Sequence, residues 1–456
     1  MQPPAEVNGY PITARGVHLQ PNGLHNFWME DERRDTILAK MRQAGISWVL
    51  ALSESDNLVL SGAAEALLQH GIIPIIRLNY QFPGPWTHAD AFSQFVTLCN
   101  QYGAPAIGQF ANEPFDPREG GPDWPYPNAW EIIAQRWHEA ADIMINAGGY
   151  AMFPDGPCYS DNPFSIIGDE QGFWADGLAL YGYHGYGKGR PYNYPEDDVS
   201  RNGTPLTWDE YVAALDYYGD DPAWNEGPVV LEMMNAQREA WKDPDKTAVD
   251  DPTCWRGWQL VQHYAQEAFG HKVQMALCEG GWQPRDRAGS GAMTLGVRKL
   301  DPLSRHKIER MHDQHLVTTI HRFTLRNPSQ EQIVEFAAAL AIDIRWPYTT
   351  PEMVATKTLE MESDRPPEMF AIMPWLWADG FMAGGDVGWP FDAWWTWAYS
   401  PPYELYKPVV DTLIANPPSG GGEIVTELQA ALADCQTTNE FIQAALDDLR
   451  NRARHG

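Results

Sequence analysis

The segment Ala106-Ile107-Gly108-Gln109-Phe110-Ala111-Asn112-Glu113-Pro114 is a short, mostly apolar run that ends in a polar pair and a proline. A run of this length and composition predicts a buried β-strand. Segments with a helical pattern flank it, from Ala89 to Tyr102 on one side and from Ala129 to Ala147 on the other. A strand between two helices indicates an α/β fold.

The same alternation of apolar runs and helical patterns extends along the chain. The predicted strands are Gly16 to Gln20, Ser47 to Ser53, Ile72 to Asn79, Ala106 to Asn112, Tyr150 to Pro154, Leu178 to His184, Val273 to Cys278 and Phe370 to Trp377. The other predicted helices are Asp31 to Ala44, Ser61 to His70, Trp255 to Phe269 and Gln330 to Ala341. Eight strands that alternate with helices predict an α/β fold of the (β/α)8 TIM-barrel type.

One further apolar run, Pro228 to Met234, makes nine candidates where a barrel needs eight. Two interpretations are open. The run belongs to an elaborated loop after the sixth strand, or it is the seventh strand in place of Val273 to Cys278. The surrounding segment, Asn193 to Asp251, is rich in Pro, Asp and Gly, as loops at a barrel mouth often are. This composition favours the loop.

The composition changes again near the C-terminus, at Pro417-Pro418-Ser419-Gly420-Gly421-Gly422. We therefore predict a barrel domain over residues 1–416, a flexible linker over 417–422 and a helical tail over 423–456. In the tail, Ile424, Leu428 and Leu432 repeat at helical spacing, and Thr437 with Glu440 forms a capping-box pattern. The tail either packs on the barrel or mediates self-association with another chain.

Charge and aromatic content limit the kinds of ligand. The 456 residues include 61 acidic and 32 basic side chains, which gives a formal charge of -29. Because a chain this acidic repels nucleic acid and anionic membranes, we expect neither as a partner. The 20 tryptophans and 19 tyrosines offer flat apolar faces for sugar rings, although core packing is the alternative for any one of them.

Cysteine usage and the chain start bear on cofactors and compartment. The five cysteines are widely spaced and form no C-x-x-C pair, so neither a disulfide framework nor a zinc site is predicted. No run reaches the roughly 18 to 20 apolar residues that span a bilayer. The start Met1-Gln2-Pro3-Pro4 lacks a signal-peptide pattern. We expect a cytoplasmic protein, or a secreted one whose signal has been removed.

Two glutamates stand at the ends of predicted strands, Glu113 after the fourth and Glu279 after the seventh. Each has the same parity as alternate residues of its run, namely 107, 109 and 111 or 273, 275 and 277. Side chains of one parity point to one side of a sheet, so both acids are predicted to face one pocket. Two carboxylates on opposite sides of a glycosidic bond are what glycoside hydrolysis requires.

Four motifs now form an ordered set. They are Asn112-Glu113-Pro114, His184-Gly185-Tyr186, Glu279-Gly280-Gly281-Trp282 and Trp375-Leu376-Trp377-Ala378-Asp379-Gly380. Over residues 12–416 the set resembles the clan of retaining glycoside hydrolases, of cellulase and β-glycosidase type, whose (β/α)8 barrels carry catalytic glutamates on strands four and seven. The resemblance implies polysaccharide degradation, with cleavage of a neutral β-linked glycan or glycoside and no metal or organic cofactor.

The resemblance also implies roles for single residues. Glu113 resembles the general acid/base, Asn112 the residue that binds the sugar 2-hydroxyl, and Glu279 the nucleophile. Arg77 and Tyr186 are candidates to keep Glu279 ionised by hydrogen bonding. In such a pair the acid needs a raised pKa while the nucleophile stays charged.

The remaining candidates are binding residues. His184 is predicted to orient Glu113 or to bind a sugar hydroxyl, and His18 is a weaker candidate for binding. Trp375 or Trp377 resembles the aromatic platform under the sugar at the cleavage point, and Trp282 and Trp124 are possible outer platforms. For Arg77, the two histidines and each tryptophan, the alternative is a rim charge or ordinary packing.

Three alternatives stay open. Glu232, at the end of Val229-Val230-Leu231, is the reserve nucleophile. A barrel that binds carbohydrate without cleaving it, for adhesion or assembly, is the alternative function. Transglycosylation, in which an acceptor sugar replaces water, uses the same site.

Overall fold

The computed structural model describes residues 1–18, 38–53, 62–78, 82–84, 89–114, 123–155, 162–187, 190–216, 227–251, 254–282, 345–346, 351–374, 378–379, 395–396 and 407–418. Eight parallel strands form one sheet in chain order: β1 (Gly16–His18), β2 (Trp48–Ser53), β3 (Ile73–Leu78), β4 (Ile107–Gln109), β5 (Tyr150–Pro154), β6 (Ala179–Tyr186), β7 (Met275–Gly281) and β8 (Met369–Ile372).

The sheet closes on itself between β8 and β1. Ile372 donates its N–H to the carbonyl of Ala14 at 2.8 Å, and His18 donates its N–H to the carbonyl of Pro374 at 3.0 Å. A parallel bridge between Arg15 and Ile372 lies at the same seam. The fold is therefore a (β/α)8 TIM barrel, as the alternation of strands and helices predicted.

Helices follow the strands around the outside of the barrel. They are α1 (Ala63–Gln69), α2 (Ala89–Gln101), α3 (Ala129–Asn146), α4 (Pro163–Ile167), α5 (Asp198–Asn202), α6 (Trp208–Asp216), α7 (Gly227–Ala240), α8 (Trp258–Phe269), α9 (Pro351–Asp364) and α10 (Lys407–Ala415). Residues 38–43 are helical as well. Outside the barrel sheet, Glu6–Val7 pairs antiparallel with Tyr10–Pro11, and Ala378–Asp379 pairs parallel with Trp395–Thr396.

Helix α3 shows why the sequence packs as it does. Its buried residues include Ile133, Trp137, Ala140 and Met144, which recur at three- to four-residue spacing and so form one apolar face. On β4 beneath it, Gly108 has no side chain, and a Cβ there would lie 2.6 Å from the ring of Phe92 and 3.3 Å from the sulfur of Met144. The glycine lets α2 and α3 approach the strand closely.

The run from Pro228 to Met234 lies in helix α7, not in a strand. Proline is well placed in the first turn of a helix, where its missing N–H has no partner to lose, and the Leu, Met, Ala, Gln and Arg residues that follow are good helix formers. The interpretation as the seventh strand is therefore wrong. Between β6 and β7 the chain carries helices α5, α6 and α7 before helix α8, so the region is elaborated, as predicted, but largely helical.

A buried arginine ties the closing elements together at the N-terminal end of the barrel. Arg15 is 1% exposed and makes a bidentate ion pair with Glu362 of α9, at 2.6 and 2.8 Å. Its guanidinium also donates to the carbonyls of Ala44, Leu413 and Asn416. A cavity of about 810 Å³ beside this pair is not lined by Glu113 or Glu279.

Some predictions lie outside the described residues: the helix from Gln330 to Ala341, most of the linker, the tail over 423–456, and Trp375 and Trp377. Within the described ranges, every helix is too short or too polar to span a bilayer.

Candidate active site

The C-terminal end of β7 contains an irregularity. Tyr183 of β6 pairs with Leu277 of β7, but the next pair joins His184 to Glu279. One residue of β7, Cys278, is therefore passed over, which is the pattern of a β-bulge.

This bulge decides which way Glu279 points. Tyr183 faces the outer helical layer, because its hydroxyl donates to the carbonyl of Cys254. Leu277, its partner across the sheet, faces the same way, since paired residues of neighbouring strands share a face. Strand parity alone is therefore a wrong predictor for β7: residues 275 and 277 face outwards, and the bulge turns Glu279 towards the interior.

Glu279 is enclosed by polar groups from three other strands. Arg77 of β3 donates from Nη1 to Oε1 at 2.6 Å, and the hydroxyl of Tyr186 on β6 donates to Oε2 at 2.9 Å. His18 Nε2, on β1, lies 3.6 Å from Oε1, and His184 Nδ1 lies 3.8 Å from Oε2. Arg77 and Tyr186, the two residues predicted to hold this carboxylate, both hydrogen-bond to it.

These contacts determine the charge of Glu279. Burial by itself raises the pKa of this carboxyl, but the charges of His184 and Arg77, with His18 beside it, outweigh burial and hold the pKa well below its usual range. Burial and the two neighbouring carboxylates raise the pKa of Tyr186 well above its ordinary value. The phenol therefore remains a donor and Glu279 remains an anion at neutral pH.

Glu113 lies just beyond the end of β4. Its backbone has φ 22°, a conformation that is uncommon for a residue with a side chain. His184 Nδ1 lies 3.2 Å from its Oε1, and the Tyr186 hydroxyl lies 3.5 Å from the same atom. One oxygen of Glu113, one oxygen of Glu279 and a ring nitrogen of His184 all lie within 4.8 Å of one another.

His184 and Tyr186 thus contact both glutamates. Burial lowers the pKa of His184, but Glu279, Glu113 and Asp155 together raise it above its ordinary value. The imidazole is therefore favoured in its charged form between two carboxylates. Asn112, beside Glu113, is half-buried.

Two buried residues of this network were missed by the sequence analysis. Gln109, on β4, accepts at Oε1 from Nε of Arg77 at 2.8 Å, which fixes the guanidinium that binds Glu279. Asp155, directly after β5, accepts from the backbone N–H of His184 at 2.7 Å. A buried polar residue in or directly after an otherwise apolar strand is the sequence signal that could have identified both.

The two described tryptophans among the candidates lie in packed surroundings. Trp282 is 1% exposed, lies over Gly187 and donates its indole N–H to the carbonyl of Arg190 at 2.7 Å. Trp124 is 4% exposed and donates its indole N–H to the carbonyl of Pro114 at 2.8 Å. Its ring stacks on Phe82, with centroids 4.9 Å apart. These positions correspond to the packing alternative, and Trp124 supports the turn that carries Glu113.

Glu113, His184 and Glu279 each offer an atom that could bind a metal ion. Metal binding requires a neutral imidazole, and a cation already beside a carboxylate repels a metal ion there. Here Arg77 already donates a hydrogen bond to Glu279, and the pKa of His184 is raised. The donor set therefore fits a network of paired charges better than a metal centre.

No family model and no curated protein matches the sequence. Among solved structures, a GH5_18 from Bifidobacterium longum subsp. infantis matches 89% of this chain and 79% of its own, with a TM-score of 0.36 and 10% identity. A β-D-mannosidase from Dictyoglomus thermophilum matches 90% of this chain and 39% of its own, with a TM-score of 0.36 and 10% identity.

A glycoside hydrolase family 5 enzyme from Prevotella bryantii B14 matches 71% of this chain and 95% of its own, with a TM-score of 0.33 and 10% identity. These three solved structures are glycoside hydrolases. At such low scores and identities, the similarity assigns no activity to this chain.

Proposed function

We propose that the protein is a retaining glycoside hydrolase with Glu113 as general acid/base and Glu279 as nucleophile. The observation that carries the proposal is the facing pair of carboxylates, with oxygens within 4.8 Å, at the C-terminal mouth of the barrel. In retaining glycosidases the two carboxyl groups lie about 5–5.5 Å apart, whereas inverting enzymes leave about 6.5–9.5 Å for a water molecule.

In the first step, Glu279 attacks the anomeric carbon while Glu113 donates its proton to the leaving glycosidic oxygen. A covalent glycosyl ester forms on Glu279, and the aglycone leaves as a neutral alcohol. The surroundings of Glu279 support this role, because Arg77 and Tyr186 bond one oxygen each and the lowered pKa keeps the attacking group charged.

In the second step, Glu113 has become a carboxylate and removes a proton from water. The water attacks the anomeric carbon, the ester bond to Glu279 breaks, and the sugar leaves with its original configuration. His184 and Tyr186 reach both glutamates, so they stabilise whichever of the two is negative. An acceptor sugar in place of water would give transglycosylation from the same intermediate.

The proposed substrate is a neutral β-linked glycan or glycoside. The formal charge of -29 disfavours polyanionic substrates. Asn112 is the proposed partner of the sugar 2-hydroxyl, and Trp375 or Trp377 the proposed platform beneath the ring.

The test is hydrolysis of a panel of aryl β-glycosides and neutral β-linked oligosaccharides by the full chain, with the anomer of the first product followed by proton NMR. We expect the β-anomer to appear first. First release of the α-anomer would contradict retention, and sugar products larger than the substrate would identify transglycosylation.

Glu232→Gln is a matched control, because Glu232 is an exposed carboxylate on α7 that the sequence offered as the reserve nucleophile. This variant should keep full activity. If the wild-type chain binds a panel glycan in calorimetry but hydrolyses none, the proposal fails and the non-catalytic carbohydrate-binding barrel is favoured.

A further inference from the structure

A buried aspartate lies behind the histidine that links the two glutamates. Asp155 directly follows β5 and is 0% exposed. Its Oδ1 accepts from the hydroxyl of Tyr181 at 2.7 Å, and its Oδ2 accepts from the backbone N–H of His184 at 2.7 Å. Its own N–H donates to the carbonyl of Gly182 at 2.8 Å. Three hydrogen bonds therefore fasten Asp155 to β6, the strand that carries His184.

A carboxylate buried this deeply is costly unless hydrogen bonds and opposite charge compensate it. The two hydrogen bonds to its oxygens provide part of this compensation. Opposite charge is available from His184, whose backbone N–H contacts Asp155 and whose ring lies between Glu113 and Glu279. Glu279 and Glu113 raise the pKa of His184 more strongly, and the charge of Asp155 adds to their effect.

We propose that Asp155 is a positioning residue that fixes His184 through its backbone and keeps the imidazole positively charged between Glu113 and Glu279. This inference rests on the proposed function. In that reaction the negative charge passes from Glu279 to Glu113 when the glycosyl ester forms, and it returns when the ester is hydrolysed. Asp155 takes no part in this exchange, so its charge adds to that of whichever glutamate is ionised and favours the proton on His184 in both halves of the cycle.

Several ionisable groups act on this histidine besides Asp155. Glu113 reaches it from the end of β4, Glu279 from β7 and Tyr186 from its own strand. Arg77 of β3 and His18 of β1 lie on the far side of Glu279. A test must therefore change Asp155 and leave these five groups in place.

Asp155→Asn makes this change. The amide oxygen can still accept from the N–H of His184, and the amide NH2 can donate to the oxygen of Tyr181, so the shape and both contacts persist while the charge is lost. The probe is the imidazole signal of His184 in protein labelled with ¹³C-histidine, assigned by its absence in His184→Gln. We expect the titration midpoint of His184 to fall by about 1 pH unit.

Two further variants keep the test decisive. If Asp155→Asn does not fold, Asp155→Ser removes the same charge and keeps a smaller hydrogen-bond acceptor. The titration midpoint of His184 should then fall by the same amount. Tyr181→Phe removes one hydrogen bond to Asp155 but leaves its carboxylate, so the His184 midpoint should remain near that of the wild type. An unchanged midpoint without the Asp155 charge, or an equal fall in Tyr181→Phe, would overturn the role.

The titration needs no substrate, so it is independent of the hydrolysis test. In the kinetics, Asp155→Asn should lower kcat at alkaline pH, where His184 is then neutral, and leave KM unchanged. If the protein hydrolyses glycosides but the His184 midpoint is unchanged in Asp155→Asn, the role of Asp155 alone is refuted. A moved midpoint in a protein that hydrolyses nothing would refute the proposed function alone.

Discussion

The ends of β4 and β7 each present a glutamate to the same pocket, but they hold it differently. Glu279 lies within β7, its side chain is 11% exposed, and both its oxygens accept hydrogen bonds, from Arg77 and Tyr186. Glu113 lies beyond β4 at φ 22°, with its side chain 19% exposed and a ring nitrogen of His184 3.2 Å away.

This difference corresponds to two kinds of chemical work. A nucleophile must be charged and fixed, because it attacks one atom along one direction. An acid/base must exchange its proton with a leaving group and then with water, so it needs access to both. The charge-paired, enclosed site at β7 suits the first task, and the more open turn after β4 suits the second.

The largest expected effect is that of Glu279→Ala. Removing the nucleophile should lower kcat by roughly 10⁴-fold or more. Circular dichroism should show a folded protein, because Arg77 keeps its hydrogen bond to Gln109. Added azide should restore turnover by attacking from the vacated side, giving a glycosyl azide of inverted configuration. Full activity of Glu279→Ala without azide would show that Glu279 is not the nucleophile.

Glu113→Ala should be the next most severe change, lowering kcat/KM by roughly 10²–10⁴-fold for substrates with poor leaving groups. For an activated aryl glycoside, which needs no proton to leave, the first step should be spared and the second slowed. Azide should then give a glycosyl azide of retained configuration. If both variants gave the same azide anomer, the assignment of different tasks to β4 and β7 would fail.

Sequence was sufficient to predict the barrel, because buried parallel strands are short apolar runs bounded by helical patterns. All eight predicted strands occur, although the structure ends β4 at Gln109 and β8 at Ile372, before the predicted ends. Phe110 still donates its N–H to Met152 of β5, but the residues from Ala111 to Glu113 lie beyond the strand, so strand periodicity no longer applies to them. The run from Pro228 to Met234 was interpreted as part of a loop or as a strand, but it forms helix α7, because a short apolar run does not by itself distinguish helix from strand.

The β7 side of the site could be predicted only in part. Arg77, Tyr186 and Glu279 were identified by residue type and position, but the bulge at Cys278 depends on pairing with β6, which no local pattern records. Asp155 was missed for a related reason. Its function comes from contacts with Tyr181 and His184, which are brought to it only when the sheet forms.

Gly280 tests the backbone that follows the bulge. It has φ 108°, and a Cβ there would lie 2.1 Å from the carbonyl oxygen of Gly185 on β6. Gly280→Ala should therefore cost roughly 3–5 kcal/mol, because backbone strain adds to the clash. Gly270 has φ 75° with nothing near its Cβ direction, so Gly270→Ala should cost only about 1 kcal/mol.

The comparison of the two variants is made by urea unfolding at one pH, followed by kcat/KM for each. We expect Gly280→Ala to lose activity as well as stability, since the residue directly follows Glu279, and Gly270→Ala to keep its activity. Equal losses of stability would show that the close approach of β6 and β7 at the bulge is unimportant.

The smallest expected effect is a shift of the pH profile in Arg77→Met. Arg77 is one of the charges that hold the pKa of Glu279 well below its usual range, so its loss should raise that pKa and move the acid limb of kcat/KM upward by about 1–3 pH units. Because the folded pKa is depressed, the ionised carboxylate contributes stability above its unfolded pKa, and that contribution is lost as the pH falls through the folded pKa. Arg77→Met should thus be less stable than wild type in urea at pH 7, and the difference in stability should narrow in acid.

Arg136→Met is the control. It removes a partner of Glu139 on the outer helix α3 and should leave the acid limb of kcat/KM in place. If the two arginine variants gave the same pH profile, the paired charge at β7 would not be what keeps Glu279 ionised.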